Sequence, residues 1–167
     1  EKVIAAAREL LPSEPGEVPE SDYGEKETAT PHQNALSAAM EVSAPQFLLG
    51  TKLVPEGKGD ARLKQMLTGE IALRLLFGSS SPFYTRLYAD GLINSSFDYE
   101  LDYTAGTAMM LAGGESRNVD GGMSELNAEI AKIASEGLNK TLFENTRKSF
   151  FGSQLRILGS FSTLSQT

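Results

Sequence analysis

The 167-residue sequence contains no cysteine, no tryptophan and a single histidine, His32. The missing cysteines exclude disulfides, thiolate nucleophiles and zinc sites built from Cys and His. The lone imidazole excludes any metal site or catalytic triad that takes two histidines from this chain. His32 lies in a polar stretch next to Pro31, where we expect an exposed loop residue and not a general base.

Basic residues are outnumbered, because 15 Lys and Arg against 22 Asp and Glu give a formal net charge of −7. Residues 12–34 contain six of the acids, one base and four of the seven prolines. This segment therefore carries −5 of the charge, and we predict that it is a solvated linker. Since no basic patch is visible, we expect no nucleic acid as a partner.

Long apolar runs are also missing from the sequence. No stretch reaches the ~18 consecutive apolar residues that would span a bilayer, and no secretory signal pattern is visible at Glu1. We therefore expect no membrane partner, and the lack of cysteine favours a cytoplasmic protein. The apolar fraction of 40% is that of an ordinary folded domain.

Hydrophobic periodicity predicts an α+β fold in which helices pack on one face of an antiparallel sheet. A short helix and the acidic linker precede elements in the order ββαα-ββαα. The predicted helices cover residues 1–11, 60–77, 82–90, 120–136 and 141–158, and the predicted strands cover 36–43, 46–53, 94–105 and 107–113.

Local signals predict how several of these elements begin and which side they bury. Asp60 is a candidate N-cap, Pro82 suits a first helical position after capping serines, and Thr141 with Glu144 fits a capping box. The first long helix is expected to bury one stripe of apolar side chains: Leu63, Met66, Leu67, Ile71, Leu75 and Leu76.

The strand over residues 94–105 alternates strictly between apolar and acidic side chains. Asp98, Glu100 and Asp102 share one face, which indicates a solvated surface, although a polar row facing a cavity has the same pattern. The glycine pairs 113–114 and 121–122 lack any phosphate-loop pattern and are predicted to be surface turns. Ser79–Ser81 lack the context of a nucleophile elbow, so we expect them to cap a helix.

Two stretches resemble a known family: MEVSAPQFLLG at 40–50 and LFGSSSPFYTRLYADGLI at 76–93. They resemble the insulinase, pitrilysin and mitochondrial-processing-peptidase family of zinc metallopeptidases, in particular the second, non-catalytic domain of its bacterial cytosolic branch. The likeness covers about residues 36–158. It implies that residues 1–11 are the last helix of a truncated upstream domain, 12–34 the interdomain linker and 35–167 the non-catalytic domain, itself truncated at its C-terminus.

The resemblance also implies a role in peptide binding. In that family the active domain binds zinc through a His-x-x-Glu-His motif, which this chain cannot supply, so we expect no metal or cofactor here and zinc in the catalytic half of the parent. The inactive half closes a chamber over the peptide and presents an arginine and a tyrosine. In this sequence those positions fall on Tyr88 and Asn94, with Arg86 nearby, so these three are the candidate peptide-contacting residues.

Two functions are therefore open. The leading one is a non-catalytic half that forms part of a peptide chamber and scaffold, with the upstream catalytic domain or a homologous subunit as partner and an extended peptide as ligand. The alternative is an interaction or dimerisation module derived from a peptidase half, without any substrate role. A stand-alone enzyme using His32 or Ser79–Ser81 is the weakest possibility.

Overall fold

The computed structural model describes residues 2–11, 16–17, 19–24, 28–104 and 106–165. Most of the predicted linker lies among these residues without regular structure, whereas positions 12–15, 18 and 25–27 lie outside them. Within the described ranges, six helices and three strands follow one another in this order: α1 (Lys2–Leu10), β1 (Gln46–Leu53), α2 (Asp60–Phe77), α3 (Pro82–Ala89), β2 (Asp98–Asp102), β3 (Ala108–Glu115), α4 (Val119–Glu136), α5 (Lys140–Leu158) and α6 (Phe161–Leu164).

The sheet is antiparallel throughout and has the strand order β1-β3-β2. The helix α2 packs against β2 and β3, and α5 packs against α2. The predicted α+β architecture is thus confirmed.

The predicted strand over residues 36–43 is wrong. Residues 35–42 form no strand in the structure, and the side chains of Leu36 and Met40 are 84% and 75% exposed. Alternating apolar residues favour an extended backbone, but a strand also needs a neighbour that completes its hydrogen-bond ladder. In the described part of the chain no strand lies beside this segment, so the order is βαα-ββαα.

The core lies between the sheet and the first two helices that follow β1. Its central ring is Phe77, at the end of α2, whose centroid lies 5.6 Å from that of Phe97 and 6.1 Å from that of Phe83. Aromatic pairs at these separations add to the free energy gained by burial. The buried cluster comprises Leu73, Phe77, Phe83, Leu87, Ile93 and Ala112.

Only the second half of α2 buries the predicted stripe. Of the predicted stripe, Leu63 is 55% exposed, Met66 and Leu67 are also exposed, and Leu75 is buried. Leu73, the most buried residue of the helix at 1%, was not in the predicted stripe. The boundary lies at Gly69, where an added Cβ would meet Leu101 Cδ2 of β2 at 2.8 Å. The sheet therefore closes onto the helix from Gly69 onward, and periodicity alone could not locate that boundary.

The helix caps differ from prediction at two of three starts. Ser81 caps α3 as expected, accepting a hydrogen bond from the backbone N–H of Tyr84 at 2.9 Å. The predicted cap Asp60 is instead the first residue of α2, after Gly59 with φ 68°. At α5 the cap is Asn139 and not Thr141, because the Asn139 side chain accepts from the N–H of Leu142. The short α6 was not predicted.

Candidate functional site: the open face of the sheet

The three-stranded sheet has one face covered by helices and one open face. Side chains of Phe47, Tyr99 and Leu101 pack against the core. Because side chains alternate along a strand, the intervening residues point away from the helices. On this open face the strand register places Leu48 beside Gly113 and Asp98, and Gly50 beside Leu111 and Glu100.

A shallow groove of about 390 Å³ crosses this open face. It runs over the middle of the sheet, so the backbone of its floor is already paired on both sides within β3. A ligand lying there would contact side chains. The groove is lined by Gln46, Phe47, Leu48, Ser96, Asp98, Tyr99, Glu100, Leu111, Ala112, Gly113, Gly114 and Glu115.

Gly113 lies on the open face, where it leaves the groove unfilled, and Gly114 next to it lies on the helical face; neither position has room for a side chain. A Cβ on Gly113 would lie 2.5 Å from the Phe47 carbonyl oxygen, and one on Gly114 would lie 2.7 Å from Phe97 Cα. Both contacts are with backbone atoms, so neither neighbour can give way by rotating a side chain. The prediction of surface turns is therefore wrong for Gly113 and Gly114, which lie inside β3, and for the pair 121–122, which lies in the first turn of α4.

The groove is acidic on the side formed by β2. Asp98 and Glu100 are exposed, and no basic residue is among those that line the groove. Asp98 also accepts a hydrogen bond from the N–H of Tyr99 at 2.8 Å, which fixes its carboxylate beside β2. Asp102 shares the face but does not line the groove. The arrangement combines an apolar centre, Leu48 and Leu111, with carboxylates along one edge.

Asn94 lies at one end of the groove, in a small hydrogen-bonded cluster. Its amide Nδ2 donates to Glu115 Oε2 at 2.8 Å, and its Oδ1 accepts from both the N–H and the hydroxyl of Ser96. Ser96 Oγ in turn accepts from the N–H of Glu115 at 2.9 Å. Asn94 therefore positions a carboxylate that lines the groove.

Arg86 connects α3 with α4. Its Nη2 donates to Glu129 Oε2 at 2.9 Å, and its Nε lies 3.3 Å from Glu125 Oε2. The hydrogen bond to Glu129 is the main reason that the pKa of Arg86 is raised above its ordinary value, with the charge of Glu125 adding to it. Glu125 and Glu129 are four residues apart and therefore lie on one face of α4. This spacing is the feature of the sequence that could have indicated a shared basic partner such as Arg86.

The three candidate peptide-contacting residues do not share one cavity. Arg86 lines a separate cavity against α4, while Tyr88, 52% exposed, stacks on Tyr84 with ring centroids 6.0 Å apart. Tyr88 lines neither the groove nor the cavity beside Arg86. Only Asn94 is joined to the groove, through Glu115.

The donor set of the chain does not fit a zinc ion of the peptidase kind. Such an ion takes two histidines one helical turn apart, and His32, the one histidine, is exposed in a segment without regular structure. Among the residues that the structure describes, no three His, Cys, Asp or Glu side chains converge to hold a metal. Likewise, none of the described helices is long and apolar enough to cross a membrane.

Comparison with known proteins places this fold in a family. Residues 6–150 match the family described as the Peptidase M16 inactive domain. The uncharacterized zinc protease YmfH of Bacillus subtilis (strain 168) is 30% identical over 122 residues, which are 72% of this chain and 28% of that protein.

A solved structure agrees with the sequence match. The crystal structure of an M16-like peptidase from Alicyclobacillus acidocaldarius superposes with a TM-score of 0.70 at 27% identity, covering 74% of this chain and 29% of that one. The chain thus spans less than a third of the length of either relative. By its fold and its match over residues 6–150, the chain belongs to the M16 peptidase family and corresponds to its inactive domain.

Proposed function

We propose that this domain forms part of the wall of a peptide-binding chamber, in a protein whose zinc-dependent chemistry is carried by another domain or subunit. The observation that carries the proposal is the groove on the open sheet face. The B. subtilis relative is named a zinc protease, and this chain lacks the donors for the zinc. A binding role therefore suits the domain better than a catalytic one.

The lining of the groove indicates which peptides it would accept. Leu48 is 71% exposed and, with Leu111, offers an apolar surface for one side chain of an extended peptide. Asp98, Glu100 and Glu115 would attract Lys or Arg and repel Asp or Glu through largely solvent-screened interactions. We therefore propose a preference for extended peptides with apolar and basic side chains over acidic ones.

Exposed apolar residues support the proposed partners. The helix α1 has no buried residue, and Val3 and Leu10 on it are each 81% exposed. A helix of nine residues with no buried side chain is marginal in water, so we propose that residues 1–11 belong to an upstream domain and 12–34 to a linker. The partner would be that upstream catalytic domain or a homologous subunit. A cytoplasmic location belongs to the same proposal.

Of the three sequence-predicted contact residues, we propose that Asn94 acts on the peptide by orienting Glu115. Arg86 is held by two carboxylates of α4, so a direct contact with peptide would require it to leave them. Its contact and that of Tyr88 remain predictions.

The second candidate function is an interaction or dimerisation module. It is favoured by exposed apolar residues on the open sheet face and elsewhere, such as Leu48 at 71% and Phe151 of α5 at 63%. Burial of such residues is typical of a protein interface. In that case the open sheet face would pack against a second protein chain and would not bind peptide.

Peptide binding by charge-neutralised variants tests the leading proposal. Fluorescence anisotropy would measure the affinity of the 167-residue chain for labelled extended peptides that carry an apolar residue flanked by Lys or by Glu. Asp98→Asn with Glu100→Gln removes two groove charges at exposed positions, so we expect several-fold weaker binding of the Lys peptide and a weaker dependence on salt. Leu48→Ser should weaken binding of both peptides.

Matched controls lie outside the groove. Glu136→Gln on α4 and Leu158→Ser at the end of α5 remove an exposed charge and an exposed apolar side chain, and both should leave the affinity unchanged. Equal binding by groove and control variants would contradict the proposal. Sedimentation of the same variants distinguishes the alternative function from the leading one. If the chain is a dimer and Leu48→Ser dissociates it, the interaction module is favoured.

A further inference from the structure

A second cavity lies on the helical side of the sheet, away from the groove. It has a volume of about 450 Å³ and is enclosed by the end of α2, the turn between α2 and α3, the ring of Tyr99 and the first half of α5. Its lining combines polar and apolar groups and contains one cation and no carboxylate: Arg74, Gly78, Ser79, Ser80, Tyr99, Leu142, Asn145, Thr146 and Ser149.

One nitrogen of this cation has no hydrogen-bond partner, although the side chain as a whole is 38% exposed. The Nε atom of Arg74 is buried and makes no hydrogen bond within the described part of the chain. Glu70, one turn earlier, forms an exposed ion pair with Arg74 in which Oε2 lies 3.8 Å from Nε, beyond hydrogen-bond distance, and Glu70 is not among the residues that line the cavity. Buried polar groups are nearly always paired in native proteins, so an unpaired guanidinium nitrogen calls for a partner.

Arg74 is also held in place. Its guanidinium carbon lies 5.0 Å from the centroid of the Phe150 ring, the one buried residue of α5. This cation–π contact orients the flat group and restrains its motion. The terminal nitrogens are consequently presented as a fixed fork, which is the geometry that suits two oxygens of one anion.

Five of the remaining lining residues carry side-chain hydrogen-bond donors. Among the described residues, these five side chains make no hydrogen bond within the protein, and all but Thr146 are exposed to solvent: Ser79, Ser80, Asn145, Thr146 and Ser149. The phenol of Tyr99 has no partner either, and burial raises its pKa, so that it stays protonated at neutral pH and can donate. The cavity thus surrounds one cation with neutral donors.

We propose that this cavity binds a small oxyanion, either a phosphate or a carboxylate group, with Arg74 as its cationic centre and hydroxyls of the α2–α3 turn and α5 as further donors. A cationic ligand would be repelled by Arg74, and a metal ion would find no carboxylate or imidazole among the lining residues. An apolar ligand would leave the hydroxyls unpaired. The inference does not depend on peptide binding at the groove, because the two cavities lie on opposite faces of the sheet.

Titration of the 167-residue chain with inorganic phosphate tests the site. In amide NMR spectra we expect saturable shifts at Ser79, Ser80 and Ser149, complete by tens of millimolar phosphate. Sodium acetate and sodium chloride are the parallel arms. Tighter binding of phosphate assigns a phosphate group, tighter binding of acetate assigns a carboxylate, and equal shifts with chloride would show a salt effect and overturn the proposal.

Variants separate binding from folding. Arg74→Met keeps an unbranched apolar stem over Phe150 and should weaken binding at least about tenfold, whereas Arg74→Lys should retain part of it. Arg147→Gln, at an exposed arginine of α5 paired with Glu144, is the control and should bind as the parent does.

If Arg74→Met does not fold, the pair Ser79→Ala and Ser80→Ala, at exposed turn positions, should weaken phosphate binding several-fold. Unchanged binding in the folded variants, or the absence of saturable shifts in the parent chain, would overturn the proposal.

Discussion

The two faces of the sheet are built by the same three strands, yet one face is packed against helices and the other is exposed. On the helical face, Tyr99 and Leu101 alternate with Asp98 and Glu100 and pack under α2. On the open face, Leu48 and Leu111 stay accessible, with Gly113 beside Leu48. One face therefore carries the stability of the domain, whereas the other is left exposed, and it is this exposed face that we propose binds the peptide.

Replacing one core leucine and one open-face leucine by alanine should show the largest difference in the free energy of unfolding between the two faces. Leu73 is 1% exposed at the centre of the core, so Leu73→Ala should lower the free energy of unfolding by about 3 kcal/mol through lost burial and a residual cavity. Leu48→Ala, at 71% exposure, should change it by less than about 0.5 kcal/mol. Urea denaturation measures both, and similar losses would mean that the open face is buried in solution.

Alanine substitutions at two glycines test how closely the strands pack at the floor of the groove. Gly113→Ala places a Cβ against the Phe47 carbonyl oxygen, so it should lower the free energy of unfolding by about 1–3 kcal/mol. Gly122→Ala is the control, since a Cβ there meets nothing within 4 Å and alanine favours a helix, which should raise stability by up to about 1 kcal/mol. If Gly113→Ala were equally harmless, the strands would not be packed closely enough to require glycine.

The smallest expected effect is on how the free energy of unfolding changes with pH under alkaline conditions. Burial is the main cause that raises the pKa of Tyr99 above 10.0 in the folded protein, so folding favours the protonated phenol. This contribution is fully present below pH about 10 and is lost as the pH rises through the folded-state pKa.

Replacing this tyrosine by phenylalanine tests the sign. Tyr99→Phe should make stability fall less steeply above pH about 10, with some slope left by Tyr103, whose pKa burial also raises. Denaturant midpoints measured at several alkaline pH values provide the comparison, and a steeper slope in Tyr99→Phe would contradict the assignment.

The sequence predicted those elements whose signals are local. Alternation of apolar and acidic residues predicted β2, and helical spacing predicted α4 and α5, because a side chain's direction depends only on its own backbone. The strand over residues 36–43 failed because a ladder needs a second strand, which alternation does not reveal. The prediction that Leu63 of α2 is buried failed for a similar reason, since the burial of a residue on this helix depends on where the sheet ends.

The groove and the polar cavity could not be predicted for a related reason. A glycine pair is typical of a turn, and only the approach of β1 and of Phe97 shows why Gly113 and Gly114 are needed inside a strand. Arg74 joins residues that are distant in sequence, such as Phe150, and nothing local marks that contact. By contrast, the acid row of β2 was visible in the sequence, although its position beside a groove was not.

Mapping a bound peptide onto the two faces tests the central claim most directly. The 167-residue chain would be titrated with an extended peptide that carries an apolar residue flanked by lysines, and side-chain methyl and amide NMR shifts would be followed. The account predicts shifts at Leu48, Glu100 and Leu111 on the open face, with those of Leu73 and Phe83 unchanged. Shifts confined to the helical face would contradict this claim. So would the absence of any shift at peptide concentrations that saturate binding in the anisotropy measurement.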